Sequence, residues 1–101
     1  MIDTNKIVLS GNQPFYFKTN IQATRIQITG YGGTGTLTLK AATTAETGFE
    51  NVVDNEGDTA AITINMAIQK TIVIKDYSIY ELEFIPSGAV TGTVIITQWW
   101  G

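Results

Sequence analysis

Two glutamates spaced two positions apart are the residues best suited to acid–base chemistry in this chain. Glu81 and Glu83 flank Leu82, so a strand would hold both carboxylates on one face, as a glycosidase pair requires. The same spacing is typical of the solvated side of an amphipathic strand. The sequence contains no His and no Cys, which removes the usual general base, thiolate nucleophile and zinc ligands. We therefore predict that the protein is not an enzyme and has no catalytic residues and no cofactor.

Two other motifs resemble ligand-binding loops. Gly30, Gly32 and Gly35 match the spacing of a dinucleotide-binding loop, but an alternating stretch follows where that loop needs a helix N-terminus. We predict a glycine-rich hairpin loop instead. Three acids also cluster around Gly57: Asp54, Glu56 and Asp58. They lack the distal bidentate Glu of an EF-hand, so we predict a solvated acidic turn and no metal site, with a weak cation site as the alternative.

Two adjacent tryptophans, Trp99 and Trp100, follow the last alternating stretch. Side chains of neighbouring strand residues point to opposite faces, so one indole joins the core and the other meets a different surface. Tryptophan is enriched both at protein interfaces and in sugar-stacking platforms. Because adjacent residues on opposite faces do not make one flat platform, we favour a protein contact over a glycan where the role is not simply core packing.

Composition indicates one small all-β domain spanning residues 1–101. Thr, Ile and Val together supply 36 of the 101 residues, and branched side chains favour strands. The net charge of -3, with no cluster of Lys and Arg, argues against nucleic acid as a partner. No apolar run approaches the length of a membrane span, and the N-terminus does not resemble a secretory signal. We expect no membrane partner and synthesis in a cytoplasm.

Short alternating stretches, separated by turn residues, predict a β-sandwich of seven or eight strands. The predicted strands lie near residues 6–10, 15–19, 24–30, 36–41, 60–66, 71–75, 79–85 and 93–99. Their alternation assigns the following residues to the core: Ile26, Ile28, Leu37, Leu39, Ile62, Ile64, Leu82 and Phe84. Residues 46–58 form an acidic surface excursion that Phe49, Val52 and Val53 anchor, in one interpretation, as a short extra strand.

Several strands are also apolar on their second face. Val73 lies between two isoleucines, Ile79 and Ile85 bracket the acids of their strand, and Ile95 sits between Val94 and Ile96. A set of exposed aliphatic side chains would favour aggregation, so a second sheet or a partner must cover them. We predict a protein interface formed by these residues and the tryptophans: Val73, Ile79, Ile85, Ile95, Trp99 and Trp100.

The order of these segments resembles that of small capsid decoration or auxiliary proteins of tailed bacteriophages, including crAss-like phages. The similar segments are Ile28–Gly30, Gly35–Leu39, Phe49–Val52, Ala60–Ile64, Tyr80–Phe84 and Val90–Gln98. The resemblance implies a single Ig-like antiparallel β-sandwich with no catalytic residues. It also implies an auxiliary subunit that binds the major capsid protein, stabilises the shell and resides in the virion after synthesis in the host cytoplasm.

Two alternatives remain at the level of sequence. One is a structural component of the tail, neck or head fibre. The other is a carbohydrate-binding module that uses an aromatic residue among Tyr16, Tyr31, Tyr77 and Trp100. Self-association on the particle is compatible with each structural role, because residues 1–10 have the character of an extended arm or an edge strand that can pair with a neighbouring chain.

Overall fold

The computed structural model describes residues 1–52, 62–75 and 79–101, which form two antiparallel sheets packed face to face. Nine strands occur in these ranges, and no helix there could cross a membrane. The strands are β1 (Ile2–Gly11), β2 (Phe15–Lys18), β3 (Arg25–Tyr31), β4 (Thr36–Ala42), β5 (Glu50–Asn51), β6 (Ile62–Asn65), β7 (Lys70–Lys75), β8 (Glu81–Pro86) and β9 (Val90–Trp99).

The strand pairing is that of one long hairpin rolled into two layers. The first strand pairs with the last, β2 pairs with β8, β3 with β7 and β4 with β6, all antiparallel. Rolling adds pairs between β3 and β9 and between β4 and β8. The result is a four-stranded sheet, β1-β9-β3-β7, and a five-stranded sheet that runs β2-β8-β4-β5, with β6 also on β4.

This strand order refines the predicted fold class. The all-β antiparallel sandwich is confirmed, with nine strands where seven or eight were expected. In the immunoglobulin arrangement the first two strands lie in one sheet, whereas here β1 and β2 lie in different sheets and β1 neighbours β9. The order is that of a double-sheet jelly roll.

The core lies between the sheets and follows the alternation of the sequence. Seven of the eight predicted core residues are buried, and Ile62 is partly buried against them. Gln98 is the one polar side chain buried among the described residues, and its Oε1 accepts a hydrogen bond from the Asn20 backbone amide at 2.7 Å. No buried side-chain polar atom in the described ranges lacks a hydrogen-bond partner. The loss of hydration of these atoms is therefore offset by hydrogen bonds within the protein.

The glycine-rich segment is a loop that leads directly into β4, but the predicted hairpin is wrong, because β3 and β4 lie in different sheets and do not pair. A Cβ on Gly33 would lie 1.9 Å from the Thr91 carbonyl oxygen, so this position requires glycine. The loop is fixed to the start of β9, where the Thr34 and Thr91 backbones exchange hydrogen bonds at 3.1 and 3.2 Å. It therefore joins the two sheets at one end of the sandwich.

The acidic excursion is described only at its beginning. Glu50 and Asn51 form the short strand β5 on β4, and Val52 is fully buried beside it. Val53, the acidic cluster at Asp54, Glu56 and Asp58, and the aromatic residue Tyr77 lie outside the described residues.

Candidate functional site

The predicted interface residues divide between four places in the structure. Pairing registers and burial place Val73, Ile95 and Trp99 on the outer side of the four-stranded sheet, each half-buried. Ile85 is half-buried on the outer side of the other sheet, opposite Thr38. The structure therefore brings three of the six residues together on one surface.

Ile79 requires a correction. It is only 1% exposed and belongs to the hydrophobic core, so it cannot contribute to a surface. The strand begins at Glu81, after the backbone of Tyr80 has bonded on two sides: its amide to the Ala42 carbonyl and its carbonyl to the Thr19 amide. This double anchor holds the segment before β8 against both neighbours and places Ile79 between the sheets.

Trp100 lies beyond β9, where it continues the pairing with the first strand. Its amide donates to the Met1 carbonyl at 3.0 Å, and the Met1 amino group donates to the Trp100 carbonyl at 2.6 Å. Trp99 and Trp100 thus occupy alternate positions on extended backbone, as the sequence indicated. Both are half-buried, so neither indole is part of the fully buried core, and the prediction that one of them joins the core is wrong.

The outer side of the four-stranded sheet forms a broad surface, which we call the four-stranded outer face. It carries apolar and threonine side chains with three basic residues and, within the described residues, no acid. Threonines on neighbouring strands hydrogen-bond each other, as shown by the Thr29 and Thr71 hydroxyl oxygens, which are 2.8 Å apart. Its members are Ile2, Thr4, Lys6, Val8, Arg25, Gln27, Thr29, Tyr31, Thr71, Val73, Lys75, Thr93, Ile95, Thr97 and Trp99.

Trp99 is held on this face by a neighbour that the sequence analysis did not identify. The guanidinium carbon of Arg25 lies 4.6 Å from the centroid of the Trp99 ring, and the two residues are directly opposite in the β3–β9 pair. A guanidinium over an indole is a cation–π contact, and it restricts the ring to one side of the sheet. The spacing along the sequence contains no sign of this pair, because it depends on the strand register.

Val8 is a second residue that the sequence analysis missed. It lies on the four-stranded outer face and is 75% exposed, among the most exposed large hydrophobic residues described. The run Ile7-Val8-Leu9 has the same doubly apolar pattern as Ile72-Val73-Ile74, so the signal that identified Val73 applies equally to Val8.

The opposite surface of the sandwich, the five-stranded outer face, is charged. Glu81 and Glu83 lie there, half-buried, across from Lys18 and Lys40 in the pairing registers. Other members include Tyr16, Thr38, Thr63 and Ile85.

Tyr16 connects this charged surface to an aromatic neighbour. Its hydroxyl donates to Oε2 of Glu83 at 2.9 Å, and its ring lies 5.5 Å from that of Phe49. The hydrogen bond to Glu83, some burial and the negative charges of Glu83 and Glu81 raise the pKa of Tyr16 above its ordinary 10.0. The glutamate pair therefore lies on a charged surface where Glu83 accepts a hydrogen bond from the Tyr16 phenol.

Of the aromatic residues considered for glycan binding, the three that the structure describes do not share a surface. Tyr16 lies on the five-stranded outer face, Tyr31 on the four-stranded outer face and Trp100 after β9. Within the described residues no group of three or more acids, His or Cys is placed to hold a metal ion.

Comparisons with known proteins identify the fold. No protein-family profile and no curated protein matches the sequence. Two solved structures share the architecture at low identity. One is a subunit of Bacillus endospore appendages, described as a novel family of disulfide-linked pili, with a TM-score of 0.56 and 14% identity over 100% of this chain and 88% of that chain.

The second similar structure is the SPBc2 prophage-derived protein YomS. It aligns with a TM-score of 0.57 and 11% identity over 97% of this chain and 92% of its own. At these identities the likeness shows a common β-sandwich architecture along almost the whole of each chain. The present sequence contains no cysteine, so these 101 residues cannot form the disulfide linkage described for the pili.

Proposed function

We propose that the protein is a non-enzymatic structural subunit of a phage-related particle, and that it binds the capsid shell as an auxiliary or decoration subunit. The observation that supports this most is the end-to-end match of the sandwich with a prophage-derived protein and an appendage subunit. Because one fold serves many functions, the match supports a class of role and the surface must supply the rest of the argument.

The four-stranded outer face is the surface we propose for the shell contact. Val73, Ile95 and Trp99 expose part of their apolar area there, and no described acid adds a charge that would have to be desolvated. Interface cores are depleted in charge and enriched in aromatic and arginine side chains, which fits the stacked Arg25–Trp99 pair. The proposed partner is the major capsid protein, and the protein would enter the virion after synthesis in the host cytoplasm.

The copy number in purified particles tests the location. Quantitative mass spectrometry would compare this chain with the major shell protein in virions from the source. An abundance comparable to the shell supports a capsid-wide subunit. A handful of copies would instead indicate a tail, neck or head-fibre component, and absence from particles would contradict the virion proposal and favour the carbohydrate-binding alternative.

An Ile95→Asp substitution tests the surface itself. If the four-stranded outer face meets the shell, a carboxylate at its centre should weaken shell binding about thirtyfold or more, the range of an interface hot spot. Ile85→Asp is the matched control, since it places the same charge on a half-buried isoleucine of the opposite face. Binding would be measured by co-sedimentation with shells, and urea unfolding would verify that both variants fold.

Salt provides an independent measurement of the same contact. An apolar contact should persist as the salt concentration increases, whereas a contact through exposed charges should weaken.

The two substitutions also define the result that would exclude the proposed surface. That result is normal saturation of shells by folded Ile95→Asp together with loss of binding by Ile85→Asp.

A further inference from the structure

Within the part of the chain that the structure describes, the first strand has a free edge along its whole length. β1 pairs with β9 on one side, and no other described strand pairs with it. Proline and charged side chains usually protect such an edge, and its ten residues contain no proline and two charged residues, Asp3 and Lys6. Backbone amides and carbonyls on the open side are therefore available to a further strand.

Apolar side chains lie on both sides of this edge. On the outer side, Ile2 is 63% exposed and Val8 is 75% exposed. On the inner side, a cavity of about 360 Å³ opens between the two sheets beside the second half of β1. Its apolar lining includes Ile7, Leu9, Phe15, Leu37, Pro86 and Val90.

We propose that β1 pairs antiparallel with β1 of a second copy, in a two-fold symmetric register centred on Asn5. The two four-stranded sheets would then join into one sheet of eight strands. Residues that face each other in an antiparallel pair lie on the same side of the sheet, so only registers that match odd with odd and even with even residues are allowed. The centre on Asn5 satisfies this condition.

This register pairs the exposed apolar residues of β1 with one another. Ile2 lies opposite Val8 of the second copy, and symmetry repeats the pair at the other end. Lys6 lies opposite Thr4 of the second copy, so no like charges are directly opposed. A centre on Lys6 would oppose two ammonium groups, which is destabilising, and a centre on Ile7 would leave Ile2 without a partner.

The same register also supplies an occupant for the cavity. Met1 continues the pairing of β1 through its bonds to Trp100, and its side chain is 80% exposed. In the proposed dimer, Met1 of the second copy lies opposite Leu9, which lines the cavity. A methionine is flexible enough to fill an irregular apolar space. This dimer does not depend on the proposed capsid contact, which uses the outer face of the sheet.

Sedimentation velocity tests whether the dimer exists. The protein should form a concentration-dependent dimer, and Val8→Lys should weaken it about tenfold or more, because both apolar cross-strand pairs are lost. Ile68→Lys is the matched control, since Ile68 is 59% exposed in the turn before β7, at the opposite edge of the sheet. A monomer at all concentrations, or a dimer that Val8→Lys leaves intact, would overturn the proposal.

Cysteine cross-linking tests the register and suits this chain, which has no cysteine of its own. Residues directly opposite lie about 4.5–5.5 Å apart between Cα atoms, within reach of a disulfide. Oxidised Asn5→Cys should therefore form covalent dimers, and so should a mixture of Ile2→Cys and Val8→Cys proteins. Val8→Cys alone should remain uncross-linked, because its copies lie about 20 Å apart. Cross-linking of Val8→Cys alone, or none by Asn5→Cys, would refute this register.

Discussion

The two outer faces of the sandwich differ in the charge of their side chains and in the apolar area that they expose. On the five-stranded outer face, glutamates and lysines lie together: the Tyr16 phenol bonds Glu83, and the Lys18 ammonium lies 5.7 Å from the Tyr80 ring. On the four-stranded outer face, basic residues have no described acid beside them, and apolar side chains lie at the centre. The first surface is complete in water, whereas the second has apolar area left to bury.

The difference teaches that alternation alone does not distinguish a solvated face from a docking face. Both sheets bury one side and expose the other, yet β8 places glutamates at its outward positions. β9 places Thr93, Ile95 and Thr97 there. The outward residues of β8 and β9, one central strand from each sheet, therefore distinguish the solvated face from the docking face.

The largest expected effect comes from adjacent isoleucines of β9. Ile96 is fully buried, so Ile96→Ala should reduce the free energy of unfolding by about 3 kcal/mol through lost burial and a residual cavity. Ile95→Ala should cost about 1 kcal/mol, because its side chain is already half-exposed. Urea unfolding of both variants measures the difference. Equal losses would mean that the four-stranded outer face supports folding as much as the core does.

A smaller effect is expected at the Arg25–Trp99 pair. Arg25→Ala should reduce stability by about 0.5 kcal/mol, the value of an exposed cation–π contact, and shift tryptophan emission to longer wavelength as the ring gains water. Lys75→Ala is the control, because Lys75 lies opposite Arg25 on the same face. An unchanged spectrum in Arg25→Ala would show that the stack does not hold Trp99 in solution.

The smallest effect concerns Tyr16. Only the protonated phenol donates to Glu83, and the folded pKa is raised, so this bond contributes fully below pH 10 and is lost as the pH rises through the folded pKa. Ultraviolet titration should show a tyrosine component that ionises at higher pH than in the unfolded chain. Tyr16→Phe should remove that component, whereas Tyr31→Phe should leave it in place.

Alternation was sufficient to predict the sandwich and most of its core. In β3 and β4, polar neighbours mark one face unambiguously, and Ile26, Ile28, Leu37 and Leu39 are buried as expected. The same reasoning failed at Ile79, because it extended the alternation of β8 to a residue that precedes the strand. Backbone hydrogen bonds on both sides of the chain fix the position of this preceding segment.

Long-range pairing accounts for what the sequence could not show. The predicted first strand covered residues 6–10, but the polar segment Asp3-Thr4-Asn5 also joins β1, because β9 supplies a complete partner as far as Trp99. The jelly-roll order and the Arg25–Trp99 stack likewise depend on which strands become neighbours. The use of the predicted interface by a partner is not fixed by the fold and stays a prediction.

The rolled pairing also determines how the protein must form. Met1 and Trp100, which bond each other, are 99 positions apart in sequence, so the contacts that complete the sheet are the slowest to find. Such non-local β topologies fold in about milliseconds to seconds rather than microseconds. During synthesis β1 emerges first and waits for β9, about 5–20 s at the usual elongation rate. Until β9 is synthesised, β1 therefore lacks a partner on both of its edges, whereas in the folded protein it lacks a described partner on a single edge.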